Sequence, residues 1–356
     1  MYCVVMAGGS GTRFWPKSRE NKAKQFLKIF GNRSLIQSTV KRFEEIVGYD
    51  HIYIVAKSNQ KPFIRKHVPE VPEKNLLFEP LGKNTAPCIG LAAIHIAKKD
   101  PDAVMAISPA DHLVKKTGQF QKVIKAAGQL AEQKNALVTI GITPTRPSTG
   151  YGYIQINGDH QKLFGVDTYR IKTFAEKPNF ETAQRFLESG DFFWNSGIFV
   201  FKTSVILQTI EEFLPDLYDS LMEIQTSADG DDFNTVLDRV YHQIKSISID
   251  YGIMEQAKNV FMVKGDFTWN DLGSWDQVYK LTPQDNKGNA CLGETVLIDT
   301  KNSYISSDHG IVAVMGMEDV VVVRDGDAVL VCKRKRSEDV KHLVERIKRE
   351  KLNDYL

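Results

Sequence analysis

Along the first part of the chain, apolar residues follow two alternating rhythms. Short unbroken runs at residues 2–7, 52–56, 76–79, 103–108 and 137–142 read as buried strands. Between them the spacing is helical. After Ser34, a candidate N-cap, Leu35, Ile36, Val40, Phe43, Ile46 and Val47 fall on one face, and residues 85–98 and 120–133 repeat the pattern. Strand–helix units of this length predict an α/β fold, a Rossmann-like, mainly parallel sheet with helices on both faces. Ligands on such sheets bind at the carboxyl ends of strands, so polar residues there carry weight.

From about residue 148 the rhythm loosens. Gly150-Tyr151-Gly152 reads as a turn, residues 169–174 and 197–202 as strands, and 204–213 and 233–240 as helices. Pro, Asp, Asn and Gly cluster at 283–289 as in a linker. Beyond it, β-rich runs at 294–298, 311–314, 320–324 and 328–332 are punctuated by Asp308-His309-Gly310 and Asp325-Gly326. These predict a small all-β module, closed by a basic helical tail over 338–352. The expected division is therefore 1–282 for a large α/β domain and 283–356 for a small β-rich one.

Charge narrows the function. A net charge of +2 over 356 residues gives no support to a nucleic-acid or membrane-surface partner, so cations that handle phosphate must be local. Cys3, Cys88, Cys291 and Cys332 lie far apart, which argues against a disulfide framework or zinc site and suits a reducing compartment. The N-terminus lacks the basic and apolar regions of a signal sequence, and no run approaches membrane-spanning length; a cytoplasmic location is expected.

The first strand runs into Gly8-Gly9-Ser10-Gly11-Thr12-Arg13. Closely spaced glycines let bare backbone N–H groups approach phosphate oxygens without a Cβ in the way. Two familiar phosphate loops fail at defined positions. A Walker loop closes on Gly-Lys-Ser or Gly-Lys-Thr, whereas Gly11 is followed by Thr12-Arg13, and Gly82-Lys83-Asn84 lacks the hydroxyl. The dinucleotide fingerprint needs a third glycine where Phe14 stands. Arg13 and the nearby Lys24 favour phosphate binding over a purely structural turn.

Gly8 to Pro16 followed by Lys24-Gln25-Phe26-Leu27 resembles the signature of the sugar-nucleotide pyrophosphorylases, which have the nucleotide-diphospho-sugar transferase type of fold. The likeness recurs in Glu79-Pro80 with Asn84-Thr85-Ala86-Pro87, in Pro109-Ala110-Asp111-His112, in Gly150-Tyr151-Gly152-Tyr153-Ile154 and in Phe174-Ala175-Glu176-Lys177-Pro178. It continues through Trp194-Asn195-Ser196-Gly197, Ser248-Ile249-Asp250-Tyr251 and Trp269-Asn270-Asp271-Leu272-Gly273-Ser274-Trp275. Each is weak alone; in this order they are specific. Ala23 departs from the family's usual proline but removes no functional group.

The resemblance implies an enzyme that joins GTP to mannose 1-phosphate with magnesium. It assigns nucleotide contacts to Ala7, Gly8, Gly9, Gly11, Thr12, Arg13, Lys24, Glu79, Asn84 and Thr85. Arg13 and Lys24 take the β- and γ-phosphates, and Lys177 bridges the sugar phosphate and the α-phosphate. Asp111 and Asp271 hold the metal, while Gly150, Glu176 and Asn195 meet the sugar. Taken singly, Asp111 and Asp271 are turn or cap residues as readily as ligands, Glu176-Lys177 an exposed charge pair and Asn195 a turn residue. Asp250 reads as the N-cap of a helix over 251–258. Guanine presents N1–H and N2–H₂ donors side by side, a pair that one carboxylate accepts and adenine cannot offer. Glu79, at a strand end, suits that task. The resemblance further implies a left-handed β-helix in the C-terminal module and a homodimer, and the chain is expected to end too early to carry the isomerase domain that longer relatives append. A different hexose or heptose 1-phosphate, or a non-catalytic sugar-nucleotide-binding subunit, stays open at this stage.

Overall fold

The computed structural model describes residues 1–9, 11–20, 22–228 and 230–356. Its residues fall into two compact units that do not follow chain order. Residues 1–8 and 39–270 form one, and residues 9–38 and 271–356 form the other.

The first unit contains β1 (Tyr2–Met6), β2 (Ile52–Lys57), β3 (Leu76–Glu79), β4 (Val104–Pro109), β5 (Leu113–Lys115), β6 (Leu137–Ile142), β7 (Gly152–Leu163), β8 (Val166–Glu176), β9 (Phe192–Lys202), β10 (Val260–Gly265) and β11 (Thr268–Asn270). Nine of them make a sheet in the order β3-β2-β1-β4-β9-β6-β10-β8-β7. The β1–β2, β1–β4, β2–β3 and β6–β10 pairs are parallel, whereas β8 and β9 run against their neighbours. The sheet is thus mixed, with the expected parallel half at the β3 edge. Runs with few polar interruptions, such as Ile52 to Ala56, fit strands buried on both faces.

Helices cover both faces. They are α1 (Leu35–Val47), α2 (Lys61–His67), α3 (Thr85–Ala97), α4 (Thr117–Lys134), α5 (Phe180–Ser189), α6 (Thr203–Phe213), α7 (Pro215–Ser227) and α8 (Phe233–Gln243). Val4, Tyr53, Val55 and Met105 share a core with α3, α6, α7 and α8. Successive strand residues point to opposite faces, and on the opposite face Phe43 of α1 packs edge-on against Phe120 of α4. Ser34 begins α1 with a reciprocal cap: its N–H donates to Gln37 Oε1 at 2.9 Å and its Oγ accepts from Gln37 N at 3.4 Å.

The second unit carries α9 (Trp275–Leu281), β12 (Ala290–Ile298), β13 (Tyr304–Met315), β14 (Val320–Asp325), β15 (Ala328–Lys333) and α10 (Val340–Arg349). β12, β13 and β14 pair in parallel, and β15 turns back on β14 as a hairpin. The parallel strands, joined by tight corners, pack around Ile305, Val314, Val320 and Val322. Asn289 secures a corner: its Nδ2 donates to Thr300 O at 2.9 Å while its Oδ1 accepts from Ser303 N at 3.2 Å. Asp308-His309-Gly310, expected as a turn, lies within the long β13. Its bend is held by Ser307 Oγ, which donates to His309 O at 2.7 Å.

β12 changes register at Gly293, whose φ is +86° and whose missing Cβ would lie 2.2 Å from Ser307 O. A side chain there meets both forbidden backbone geometry and a rigid carbonyl. Gly293→Ala is predicted to lower stability by about 2–4 kcal/mol, read as a lower urea midpoint; an unchanged midpoint contradicts the packing described.

Candidate functional site

At the carboxyl end of β1 the chain emerges between neighbours on both sides. Ala7 N donates to Val55 O at 2.7 Å, and Ala110 N donates to Met6 O at 2.9 Å. Gly8 therefore lies between the ends of β2 and β4, and its absent Cβ would stand 3.6 Å from Glu79 Oε2. Glu79, at the end of β3, is 2% exposed, and its Oε1 accepts from Tyr241 Oη at 3.2 Å. Burial pushes its carboxyl up to about 7, against the pull of the Tyr241 hydrogen bond and the Lys57 charge. A buried carboxylate beside bare backbone is an acceptor placed for a ligand's donors.

Asp111 follows β4 with 31% of its side chain exposed, and His112 Nε2 lies 3.8 Å from its Oδ1. Trp269 Nε1 donates to His112 Nδ1 at 3.2 Å, which places the proton of a neutral His112 on Nε2, toward Asp111. Asn84, which caps α3, has φ 73° and ψ −168°, a region reserved almost entirely for glycine. Its Oδ1 accepts from Thr85 N at 2.9 Å, and Thr85 Oγ1 accepts from Ile249 N at 2.8 Å.

The structure gathers Glu176, Lys177 and Asn195 around Gly152. A Cβ on Gly152 would lie 2.3 Å from Glu176 Oε2 and 3.3 Å from Asn195 Cβ. Gly150, singled out from the sequence, instead stands 4.0 Å (from its absent Cβ) from Ser148 Oγ. Lys177 pairs with Glu176 through Nζ and Oε1. Lys177, directly before Pro178, has φ +49°. Its N–H is held by Tyr151 O at 3.2 Å, a local strain of the kind that concentrates at functional sites. Asn195 is fixed at both ends: Nδ2 donates to Asp250 Oδ1 at 2.8 Å, and Oδ1 accepts from Thr139 Oγ1 at 2.9 Å.

Asp250 does not cap a helix over 251–258. Residues Asp250–Met254 form a single wide turn whose N-cap is Ile249, and the Asp250 carboxylate faces Asn195. Burial first, then the Glu176 charge, pushes its carboxyl up to about 6. A polar residue before a short turn gives no sequence signal that distinguishes a cap from a residue bound across the sheet. The Arg146 guanidinium sits 5.6 Å from the Tyr151 ring and 5.7 Å from the Trp194 ring.

The remaining candidates belong to the second unit. Gly11 has φ +65°, and its absent Cβ would lie 2.3 Å from Lys24 Cβ and 2.7 Å from Lys24 N. That approach aligns the loop with Lys24, whose Nζ donates to Asp271 O at 2.6 Å. Ser18 Oγ donates to Gly11 O at 2.7 Å, and Gln25 Nε2 donates to Gly9 O at 3.3 Å. Thr12 and Arg13 occupy one 3-10 turn, with Arg13 exposed; Ser10 lies outside the described residues. Behind the loop Phe14 packs on Trp275 at 5.0 Å, and Trp275 Nε1 donates to Trp15 O at 3.2 Å. Leu272, beside Asp271, has φ +51°. Among the described residues no three His, Cys, Asp or Glu side chains converge as a metal cage.

A family model described as nucleotidyl transferase matches residues 2–288, and one described as MannoseP isomerase/GMP-like beta-helix domain matches residues 293–347. A mannose-1-phosphate guanylyltransferase of Klebsiella pneumoniae is 36% identical over 99% of this chain and 75% of its own length. The xanthan biosynthesis protein XanB of Xanthomonas campestris pv. campestris is 37% identical over 97% of this chain and 73% of its own. A solved structure from Thermus thermophilus, described as a mannose-1-phosphate geranyltransferase, superposes with a TM-score of 0.88 at 32% identity, covering 98% of this chain and 99% of that one. The small β module is accordingly a β-helix-like domain. Among the described residues no helix is long and apolar enough to cross a membrane.

If the cluster around Gly152 binds substrate, its missing Cβ matters more for activity than for stability, because the Glu176 side chain can swing aside. Gly152→Ala is predicted to reduce turnover at least ~10-fold while shifting the melting midpoint by less than ~3 °C. Near-normal turnover contradicts a role for the cluster.

Proposed function

Because this chain is an enzyme that belongs to the nucleotidyl transferase family, with mannose-1-phosphate guanylyltransferases among its relatives, we propose that it makes GDP-mannose and pyrophosphate from GTP and α-D-mannose 1-phosphate. The observation that carries this reading is the meeting of Gly8, the buried Glu79 carboxylate and the end of β4 before Asp111 at the strand ends of the parallel half-sheet. There, bare backbone serves phosphate, and a carboxylate serves a base with two adjacent donors.

An oxygen of the sugar phosphate attacks the α-phosphorus of GTP, forming the new P–O bond as the bond to the β-phosphate oxygen breaks. Pyrophosphate leaves with the electron pair. The attacking phosphate is already ionised near neutral pH, so no side-chain nucleophile is needed, and catalysis is positioning and charge neutralisation. Ala7, Gly8, Gly9, Gly11 and Thr12 cradle phosphate through their backbone. Arg13 and Lys24 neutralise the β- and γ-phosphates, Arg by a planar fork and Lys as a point charge. Lys24 Nζ already contacts a carbonyl, which aims it within its own unit. Lys177 spans the sugar phosphate and the α-phosphate, and the Asn84–Thr85 turn supports the nucleotide. Glu176, Asn195 and the backbone at Gly150 take sugar hydroxyls.

The donor set suits magnesium, which takes few carboxylates and fills its shell with phosphate oxygens and water. Asp111, partly exposed at its strand end, and Asp271 would hold it, and the ion would supply Lewis-acid charge to the phosphates. Residues 1–282 would carry out the chemistry in the cytoplasm, and residues 283–356 would support assembly into a homodimer. Exposed Val296, Ile298, Ile311, Met315, Val329 and Val331 on the β-helix-like domain favour the latter.

Arg13→Ala and Asp111→Asn are each predicted to lower kcat at least ~100-fold with the fold intact, as measured by pyrophosphate release. Near-wild-type rates in either overturn the assignment. Glu79→Gln is predicted to weaken use of GTP far more than of ITP, whose base lacks the N2 donor; equal losses count against this base contact.

A further inference from the structure

Tyr241 lies on α8, outside every motif that marks the site, and is fully buried at 0% exposure. A phenolic hydroxyl in an apolar core is costly unless bonded. This one donates to Glu79 Oε1 at 3.2 Å. The two oxygens of that carboxylate therefore differ. Oε1 is engaged from α8, while Oε2 lies 3.6 Å from the position a Cβ on Gly8 would occupy. We propose that Tyr241 is the positioning residue for base selection, fixing one oxygen of Glu79 and leaving the other edge of the carboxylate for the paired donors of a guanine. This rests on Glu79 being the base acceptor.

The groups facing Glu79 come from three elements. Lys57 at the end of β2 and the Tyr241 hydroxyl favour the ionised carboxylate, while burial opposes it and brings the group to about 7. The third, the Cys88 thiol on α3, is itself pushed well up, by burial first and then by the Glu79 charge, and stays neutral. A protonated Glu79 turns one acceptor into a donor and cannot receive N1–H and N2–H₂ together. GTP use must therefore fall as pH drops through the value at which Glu79 takes up its proton, and ITP use must fall less. Without the Tyr241 hydroxyl the charged form loses a stabilising donor, so the acid limb moves to higher pH.

The test compares kcat/KM for GTP and ITP from about pH 6 to about pH 9 in the unmodified protein, in Tyr241→Phe and in Glu79→Gln. Tyr241→Phe is expected to lose about tenfold with GTP near pH 7, the scale of a hydrogen bond to a charged group. It should lose clearly less with ITP, and its acid limb should shift upward by about one unit. Glu79→Gln should lose the limb. If Glu79→Gln discriminates GTP from ITP while Tyr241→Phe lowers both alike or leaves the limb in place, Tyr241 is only a packing residue and the proposal fails. If Glu79→Gln lowers both nucleotides alike, the base contact itself fails, and the role of Tyr241 falls with it.

Discussion

Gly11 comes so close to Lys24 that a Cβ on it would stand 2.3 Å from Lys24 Cβ, a geometry open only to a residue without a side chain. Several features depend on that approach. Lys24 is buried and reaches the carbonyl of Asp271, so the loop and the Asp271 segment are held together by the same cation. Trp275 continues the connection by packing on Phe14 and donating to Trp15. Beyond the loop, Lys17 Nζ reaches Ser306 Oγ at 2.8 Å and Arg19 pairs with Asp327 at 3.1 Å. The segment after β1 is thus anchored to the β-helix-like domain, which explains why residues 9–38 group with 271–356.

The sheet imposes a second constraint. Its parallel half, in the order β3-β2-β1-β4, delivers Gly8, Glu79 and the Ala110–Asp111 step to strand ends on one edge of the sheet. Unfavourable features collect there: burial works against the charged form of Glu79, and Asn84 holds a backbone conformation that ordinary residues avoid. Such costs, on the order of 1–3 kcal/mol each, persist where surrounding packing enforces them.

Much of this was legible in the sequence. The apolar runs of β1 to β4 marked a parallel half-sheet because strands buried on both faces tolerate few polar residues, and the motif order marked the site. What escaped depended on long-range pairing. β7 turns polar after Ile156 and passes for a loop, although its first residues pair with both β8 and β9. Gly150 and Gly152 look equivalent in a turn, and only the packing of Glu176 and Asn195 singles out Gly152. Asp250 looked like a cap because its partner Asn195 is 55 residues away. Tyr241 carried no signal at all, as an aromatic at helical spacing reads as core, which it also is.

The central claim is a direct attack of a sugar phosphate on GTP, and phosphorus NMR of the unmodified protein with GTP, mannose 1-phosphate and magnesium follows every species involved. The prediction is loss of both substrate signals, with GDP-mannose and pyrophosphate rising in equal amounts. Conversion of GTP to GDP and free phosphate, or no consumption of mannose 1-phosphate, would contradict it.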